Sequence, residues 1–421
     1  MPRGFATLMS AQFLSALADN AILIIAIALL EARAAPVWMT PFLKFSFIAS
    51  FVIFAFVVGS FADALPKARV MLITNTVKGA GCLLMLSGSH PLLAYALIGL
   101  GAAAYSPAKY GLLTELLPPS RLVGANAWLE GLTIASVILG TVIGGLLVSA
   151  EFARVIGENE ARTADALLVA VLVVFGLYIA AAVVNLFIPG SGRRYEVPPA
   201  RPRDLALAFR NALRILFCDS AGRVSLLVTT LLWGIGATLQ FVVIDWGRER
   251  LDLSLDRAAM LPGVVAVGVA LGAVLAARWV RLERTFTILP LGLMLGPLLV
   301  AILPFESITV VCALLFVNGV AAGYFIVPMN AMLQHRGYVL VNAGQAIAAQ
   351  NFCENLSVML MLGVYAVLRG LDVPLVAIVI ALGSFVAIAM AGIRRHEARE
   401  PGPPPPDAAL AEPGQATHGE R

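Results

Sequence analysis

Apolar residues fall in long runs along almost the whole chain, separated by short stretches rich in Gly, Pro, Asp and Arg. A bilayer core about 30 Å thick takes roughly 20 residues of helix, and twelve runs approach that length. They cover residues 5–30, 42–62, 70–86, 91–117, 127–150, 166–188, 225–246, 258–280, 286–303, 308–333, 344–368 and 373–393. The pattern predicts an all-α membrane protein of twelve transmembrane helices. The third, fourth and tenth runs are interrupted by Lys78, Lys109 and Asn318.

Composition agrees, because 60% of the 421 residues are hydrophobic and 13% charged, a balance of polytopic membrane proteins and not of soluble domains. The first run is too long for the apolar region of a signal peptide and contains Asp19, so it reads as a retained span. Lys and Arg set orientation: with the N-terminus cytoplasmic, inside loops gather 18 of them, among them Arg3, Arg193, Arg194, Arg210 and Arg284, against 7 outside. Both termini are therefore expected in the cytoplasm. The net charge of +4 suits anionic inner-leaflet lipids and calls for no nucleic acid. Cys82, Cys218, Cys312 and Cys353 stand singly, so free thiols are expected and no metal or other cofactor.

Residues 189–223 divide the helices six and six. Within them Leu205, Phe209, Leu213 and Leu216 recur at helical spacing, with Arg203, Arg210 and Arg214 on other faces. This is a basic amphipathic helix, expected to lie on the cytoplasmic membrane surface; a solvated linker helix is the alternative. The tail, residues 394–421, carries Pro403-Pro404-Pro405-Pro406 and no apolar period, and is expected to be disordered. The expected organisation is thus 1–188 and 224–393 as six-helix bundles, 189–223 as linker and 394–421 as tail. The halves also echo each other. Ala102-Ala-Ala-Tyr105-Ser-Pro107 answers Ala321-Ala-Gly-Tyr324-Phe-Ile-Val-Pro328, and Leu122-Val-Gly-Ala-Asn126 answers Leu340-Val-Asn-Ala-Gly344, the mark of an internal repeat.

Six plus six helices about a long central loop resemble the major facilitator superfamily. The loop Gly59-Ser-Phe-Ala-Asp63-Ala-Leu-Pro-Lys67-Ala-Arg69 resembles that superfamily's loop motif. Gly59 permits close helix approach, and Asp63 at a helix end, with Lys67 and Arg69, suits a cytoplasmic latch or gate between the halves; an ordinary basic turn is the bland reading.

Ionised groups inside a span cost roughly 2.5–3.5 kcal/mol each and so face a cavity or a partner. On the first helix Gln12, Ser15 and Asp19 share a face, bordered by Asn20; on the fourth, Tyr105 and Lys109; on the fifth, Asn126, Glu130 and Thr133; on the eleventh, Gln350, Asn351, Glu354 and Asn355. The resemblance implies that helices one, four, seven and ten line the central cavity, with two, five, eight and eleven beside them. Asp19 and Asn20 are expected to line a hydrated pocket near the membrane middle; a buried pair of Asp19 with Lys109 or Lys78 is the structural alternative. Glu130 lies near enough the helix end to reach the surface, and Tyr105, Gln240 and Asn318 are equally suited to bonding between helices.

The strings Ala11-Gln-Phe-Leu-Ser-Ala-Leu-Ala-Asp-Asn20, Gly99-Leu-Gly-Ala-Ala-Ala-Tyr-Ser-Pro-Ala-Lys-Tyr-Gly111 and Gly344-Gln-Ala-Ile-Ala-Ala-Gln-Asn-Phe-Cys-Glu-Asn355 resemble the bacterial lysophospholipid transporter family. That resemblance implies a flippase moving lysophosphatidylethanolamine or lysophosphatidylglycerol from the outer to the inner leaflet of the bacterial inner membrane. It also implies a partner, a bifunctional acyltransferase and acyl carrier protein synthetase that re-acylates the lipid; the carrier itself is expected to be a monomer. Headgroup contacts would fall to Asp19, Asn20, Tyr105, Lys109, Gln240, Gln350, Asn351, Glu354 and Asn355, supported by Gln12, Lys78, Asn126, Glu130 and Asn318. One residue departs from the family: in Trp233-Gly-Ile-Gly-Ala-Thr-Leu-Gln240-Phe241, glutamine stands where the family has arginine. Two other functions fit less of the chain. A proton-coupled exporter of amphipathic compounds shares the fold, whereas an acyltransferase would want His with Asp at a fixed offset or G-x-S-x-G, and neither occurs.

Overall fold

The computed structural model describes residues 3–36, 39–156, 161–192 and 201–399. Arg193, Arg194 and the tail beyond Arg399 lie outside the described residues. The described residues are helical nearly throughout, because a backbone in hydrocarbon must satisfy its own N–H and C=O groups. Among the described residues, eleven helices are long and apolar enough to cross a membrane, or up to twelve when one bent pair counts as a span.

Span 1 is Arg3–Ala32, span 2 the pair Met39–Ile53 and Ala55–Ala64, span 3 Lys67–Leu86, span 4 Pro91–Leu116, span 5 Leu122–Leu147 and span 6 Ala161–Leu186. The linker helix, Pro202–Cys218, leads to span 7, Ser220–Arg250, and span 8, Leu261–Trp279. Span 9 is Leu289–Val300, preceded by the 3-10 stretch Leu282–Ile288; spans 10, 11 and 12 are Ile308–Leu340, Ala343–Gly370 and Leu375–Arg399.

Three boundaries correct the sequence expectations. Span 2 is bent by 64° at Phe54, whose ψ of 5° leaves the helical region; no proline announces this break. Span 10 runs a further two turns past residue 333, carrying Gln334 and Arg336 out of the apolar zone without breaking the helix. Residues 394–399, expected in a disordered tail, continue span 12.

Local chemistry fixes several helix starts. Span 4 begins with His90, whose Nδ1 accepts from the Leu92 N–H, followed by Pro91 at the first helical position. Span 7 begins with Asp219, whose Oδ2 accepts from the Gly222 N–H at 2.8 Å. Small residues then set the spacing between helices: a Cβ at Gly272 would stand 2.1 Å from the Val320 carbonyl oxygen of span 10, so spans 8 and 10 touch through their backbones.

The linker helix is not laid on the membrane by its apolar face. That face is taken by the protein: Ala212 and Leu216 are buried, and Leu216 packs with Leu226, Leu333 and Ala349 of spans 7, 10 and 11. Phe209 meets the Phe352 ring of span 11 edge-on, 5.5 Å between centroids, and also packs near Val58 of span 2 and Ala104 of span 4. The helix therefore straddles both halves, leaving Arg203, Arg210 and Arg214 exposed on its outer side.

Candidate functional site

Asp19 lies midway along span 1, in a knot of polar groups drawn from the first half alone. Its Oδ2 accepts from Lys78 Nζ of span 3 at 2.7 Å and its Oδ1 from the Tyr178 hydroxyl of span 6 at 2.8 Å. Lys78 also donates to Ser15 Oγ (3.0 Å), which donates to Asn75 Oδ1 (2.7 Å). The ammonium stands 5.0 Å from the Tyr105 ring centroid and 5.7 Å from that of Tyr178, so cation–π attraction adds to the ion pair. Of the two partners that the sequence left open for Asp19, the structure pairs it with Lys78. The Asp19 side chain keeps 18% exposure where Lys78 keeps 1%, so the carboxylate is the wetter of the two.

Lys109 of span 4 is buried, with its ammonium 4.3 Å from the Tyr110 ring centroid, and it forms no ion pair among the described residues. It lies within electrostatic reach of Lys78, Asp19 and Glu130, and Glu130 in turn within reach of Glu354. On span 11, Gln350 Nε2 donates to Glu354 Oε1 (2.7 Å) and to Asn330 Oδ1 of span 10 (2.9 Å); Thr229 of span 7 is a further partner of Glu354. Asn351 Nδ2 crosses between halves to Ser106 Oγ of span 4, at 2.9 Å. Lys109 and Glu130 thus couple electrostatically to the Asp19 knot on one side and to the Gln350–Glu354 cluster on the other.

The other sequence candidates have contacts of their own or none among the described residues. Asn20 and Asn355 turn back on their own helices, to the carbonyls of Ala16 and Asn351 at 2.8 Å each. Asn318 reaches Leu295 O of span 9 at 3.4 Å. Gln12 is buried, while Gln240 is exposed and makes no hydrogen bond among the described residues. Asn126 is no part of the polar band: it exchanges paired amide bonds with Gln334 of span 10, at 2.9 and 2.8 Å, and so clasps the halves together.

A second clasp comes from the loop motif. Asp63 is 3% exposed and bridges to Lys67 Nζ at 2.5 Å. Across the halves, its Oδ1 and Oδ2 accept the backbone N–H groups of Gly344 and Gln345 at 2.9 and 3.0 Å. A carboxylate thus caps the N-terminus of span 11, where orphan donors and the helix dipole favour negative charge. Gly59 is required for this approach, since a Cβ there would stand 2.8 Å from Ala348 Cβ. Arg69 is exposed and stands apart from the latch it was expected to join.

A third contact ties in the linker. Asp219 accepts from Arg336 of span 10, through Nε at 2.9 Å and also through the terminal guanidinium nitrogen. Burial by itself pushes the Asp219 carboxyl up, but the hydrogen bond from Arg336, the Gly222 N–H and the charges of Arg336 and Arg223 outweigh it and hold the carboxyl below its ordinary value.

This architecture has known relatives. The Major Facilitator Superfamily model matches residues 8–361. The chain belongs to the Major Facilitator Superfamily. Within that superfamily it is 39% identical over 401 residues to "Lysophospholipid transporter LplT" of Klebsiella pneumoniae, covering 93% of this chain and 95% of the relative. It is 40% identical over 381 residues to the protein of the same name from Yersinia pestis, covering 90% of each. Among solved structures, the E. coli fucose:proton symporter FucP superposes with a TM-score of 0.72 at 14% identity, over 93% of this chain and 98% of that one. An outward-facing bacterial homologue of the iron transporter ferroportin gives 0.69 at 14%, over 94% and 100%. Likeness at that identity speaks for the superfamily fold alone.

Several participants escaped the sequence reading, Asn75 and Thr229 among them. Asn330 and Gln334 sit four residues apart on span 10, a spacing that marks a polar face and was there to be read. Tyr178 and Ser106 gave no such signal, since a single tyrosine or serine in an apolar run is ordinary.

Proposed function

We propose that this multi-pass membrane protein carries lysophospholipids between leaflets by alternating access, with residues 1–188 and 224–393 rocking as units about the linker. The reading is carried by one observation: Lys109, a buried cation without a carboxylate partner among the described residues, stands in one electrostatic neighbourhood with Glu130, itself near Glu354. A phosphate on Lys109 and an ammonium on Glu354 match a zwitterionic headgroup, while the acyl chain stays among apolar helix faces. The names of the relatives support the substrate class. Asp19, already held by Lys78 and Tyr178, sets the shape and charge of the cavity wall.

The orientation follows from the basic loops: the Asp63, Asn126 and Asp219 contacts form the cytoplasmic closure of an outward-facing state, in the bacterial inner membrane. Transport then runs from the outer to the inner leaflet, carrying lysophosphatidylethanolamine or lysophosphatidylglycerol to a re-acylating enzyme, with the carrier acting as a monomer.

Proteoliposomes containing only this chain test the proposal. Labelled lysophosphatidylethanolamine should cross in the wild type, Asp19→Ala should abolish crossing, and Lys109→Gln should slow it at least about tenfold, the effect of losing one charge-assisted contact of about 1.4 kcal/mol or more. Crossing at the protein-free rate in the wild type overturns the function.

A further inference from the structure

Spans 5 and 8 meet at the same end of the molecule as the linker helix, yet a groove of about 740 Å³ lies open between them, within the roughly 300–1,000 Å³ that holds one small ligand. Gly124, Trp128 and Gly131 recur along one face of span 5 and, with Arg121 just ahead of that helix, form one wall, facing Val274 of span 8. Two properties set this wall apart from an ordinary lipid-facing helix surface. A Cβ built on Gly124 or Gly131 would meet nothing within 4 Å, so these glycines are not there for helix packing; they leave the groove deep. Arg121, on the 3-10 turn Pro119–Arg121 at the groove's end, is exposed and forms no ion pair among the described residues. Apart from Arg121 and Ser120, every residue that lines the groove is apolar.

We infer that this groove is a lysophospholipid site: the single acyl chain lies in the bare trough beside Trp128, and the phosphate rests on Arg121. The inference rests on the function proposed above and adds a place where the lipid halts at the membrane side of the protein. One cation at the water-facing end and one apolar trough behind it complement one phosphate and one chain. A guanidinium offers the phosphate two parallel N–H bonds. A two-chain phospholipid would leave one chain outside the groove and gain no more from it than from neighbouring lipid. Lysolipid occupying this seam also has a direct exit into the leaflet, with no passage through bulk water.

Trp128 is 57% exposed and serves as the reporter. The protein is reconstituted with lysophosphatidylethanolamine brominated on its chain, or with brominated two-chain phosphatidylethanolamine at equal bromine content. The Trp128 signal is the difference between wild type and Trp128→Phe. The expected result is saturable quenching by the lysolipid beyond that of the two-chain lipid, weakened about tenfold in Arg121→Gln and lost in Gly131→Leu, whose side chain fills the trough without touching the core. Equal quenching by both lipids means ordinary boundary lipid and overturns the site, as does an unchanged response in Arg121→Gln. Transport is read separately: wild type that flips lysolipid while Gly131→Leu flips it equally fast overturns the groove and leaves the function standing. Wild type that quenches but does not flip supports the groove and rejects the function.

Discussion

The two seams between the halves, at the end bearing the linker, are built from opposite materials. Between spans 2 and 11, a buried carboxylate takes two backbone N–H groups of the opposing helix, Gly59 lets the backbones touch, and Phe209 of the linker helix covers the contact. Between spans 5 and 8, glycines face empty space and an arginine with no ion pair among the described residues stands at the rim. One seam spends its polar groups on closing and the other keeps them available. Closure at one end of a carrier therefore need not be symmetric: the repeat supplies two seams, and the residues placed in each decide whether it acts as clasp or as opening.

The largest effect should come from the clasp. Asp63→Ala removes the carboxylate that pairs with the buried Lys67 and takes the side-chain acceptor from two N–H groups of span 11, a loss of about 3–5 kcal/mol; thermal unfolding in nanodiscs should register it, and a cysteine at Gln345 should label faster. A stability unchanged within about 0.5 kcal/mol would mean that the carboxylate is no part of the closure.

Paired glycine substitutions should separate the seams next. Gly59→Ala puts a Cβ 2.8 Å from Ala348 Cβ, and such overpacking costs about 1–3 kcal/mol. Gly124→Ala, in the open seam, should be neutral or gain up to about 1 kcal/mol from helix propensity. Equal losses at the two positions would erase the contrast.

The smallest effect is a pH dependence at the linker. Asp219 is held below its ordinary value in the folded chain, so its contribution is fully present above the unfolded-state pKa of about 3.9 and is lost as pH falls through the lower folded value. Lowering pH from about 6 to about 3 should therefore raise the labelling rate of the exposed Cys218 at the end of the linker helix relative to that of a small free thiol at the same pH, and Asp219→Asn should flatten that response. A wild type and Asp219→Asn with the same pH profile would remove Asp219 from the linker contact.

The helices could be read from the sequence because hydrocarbon leaves a chain few choices: an apolar run of sufficient length must be a helix. The Asp63 latch was half visible, since Gly59, Asp63 and Lys67 announced a clasp, but its receiving end is the backbone of Gly344 and Gln345, and backbone donors carry no sequence signature. Polar residues on one helix face were readable as a group, not as partners. Nothing in the spacing of Asn126 says that its mate is Gln334, distant in sequence, and nothing distinguishes Asn20, bonded to its own helix, from Asp19 one position earlier. The linker helix shows the same limit: amphipathicity fixes which face seeks apolar company, and a protein surface satisfies that need as well as a membrane does.

Asp19 and Lys78 ride on spans 1 and 3 of the same bundle, and Tyr178 on span 6 rides with them. In the proposed rocking motion this trio would travel with its own bundle, so the pair would be neither made nor severed as the halves trade places. Opposite charges 2.7 Å apart that shift together move no net charge through the transmembrane field, where one lone charge would be worth about 2.3 kcal/mol per 100 mV. With glutamine at position 240, this acid–base pair gives the resting potential no handle by which to pull the two bundles apart.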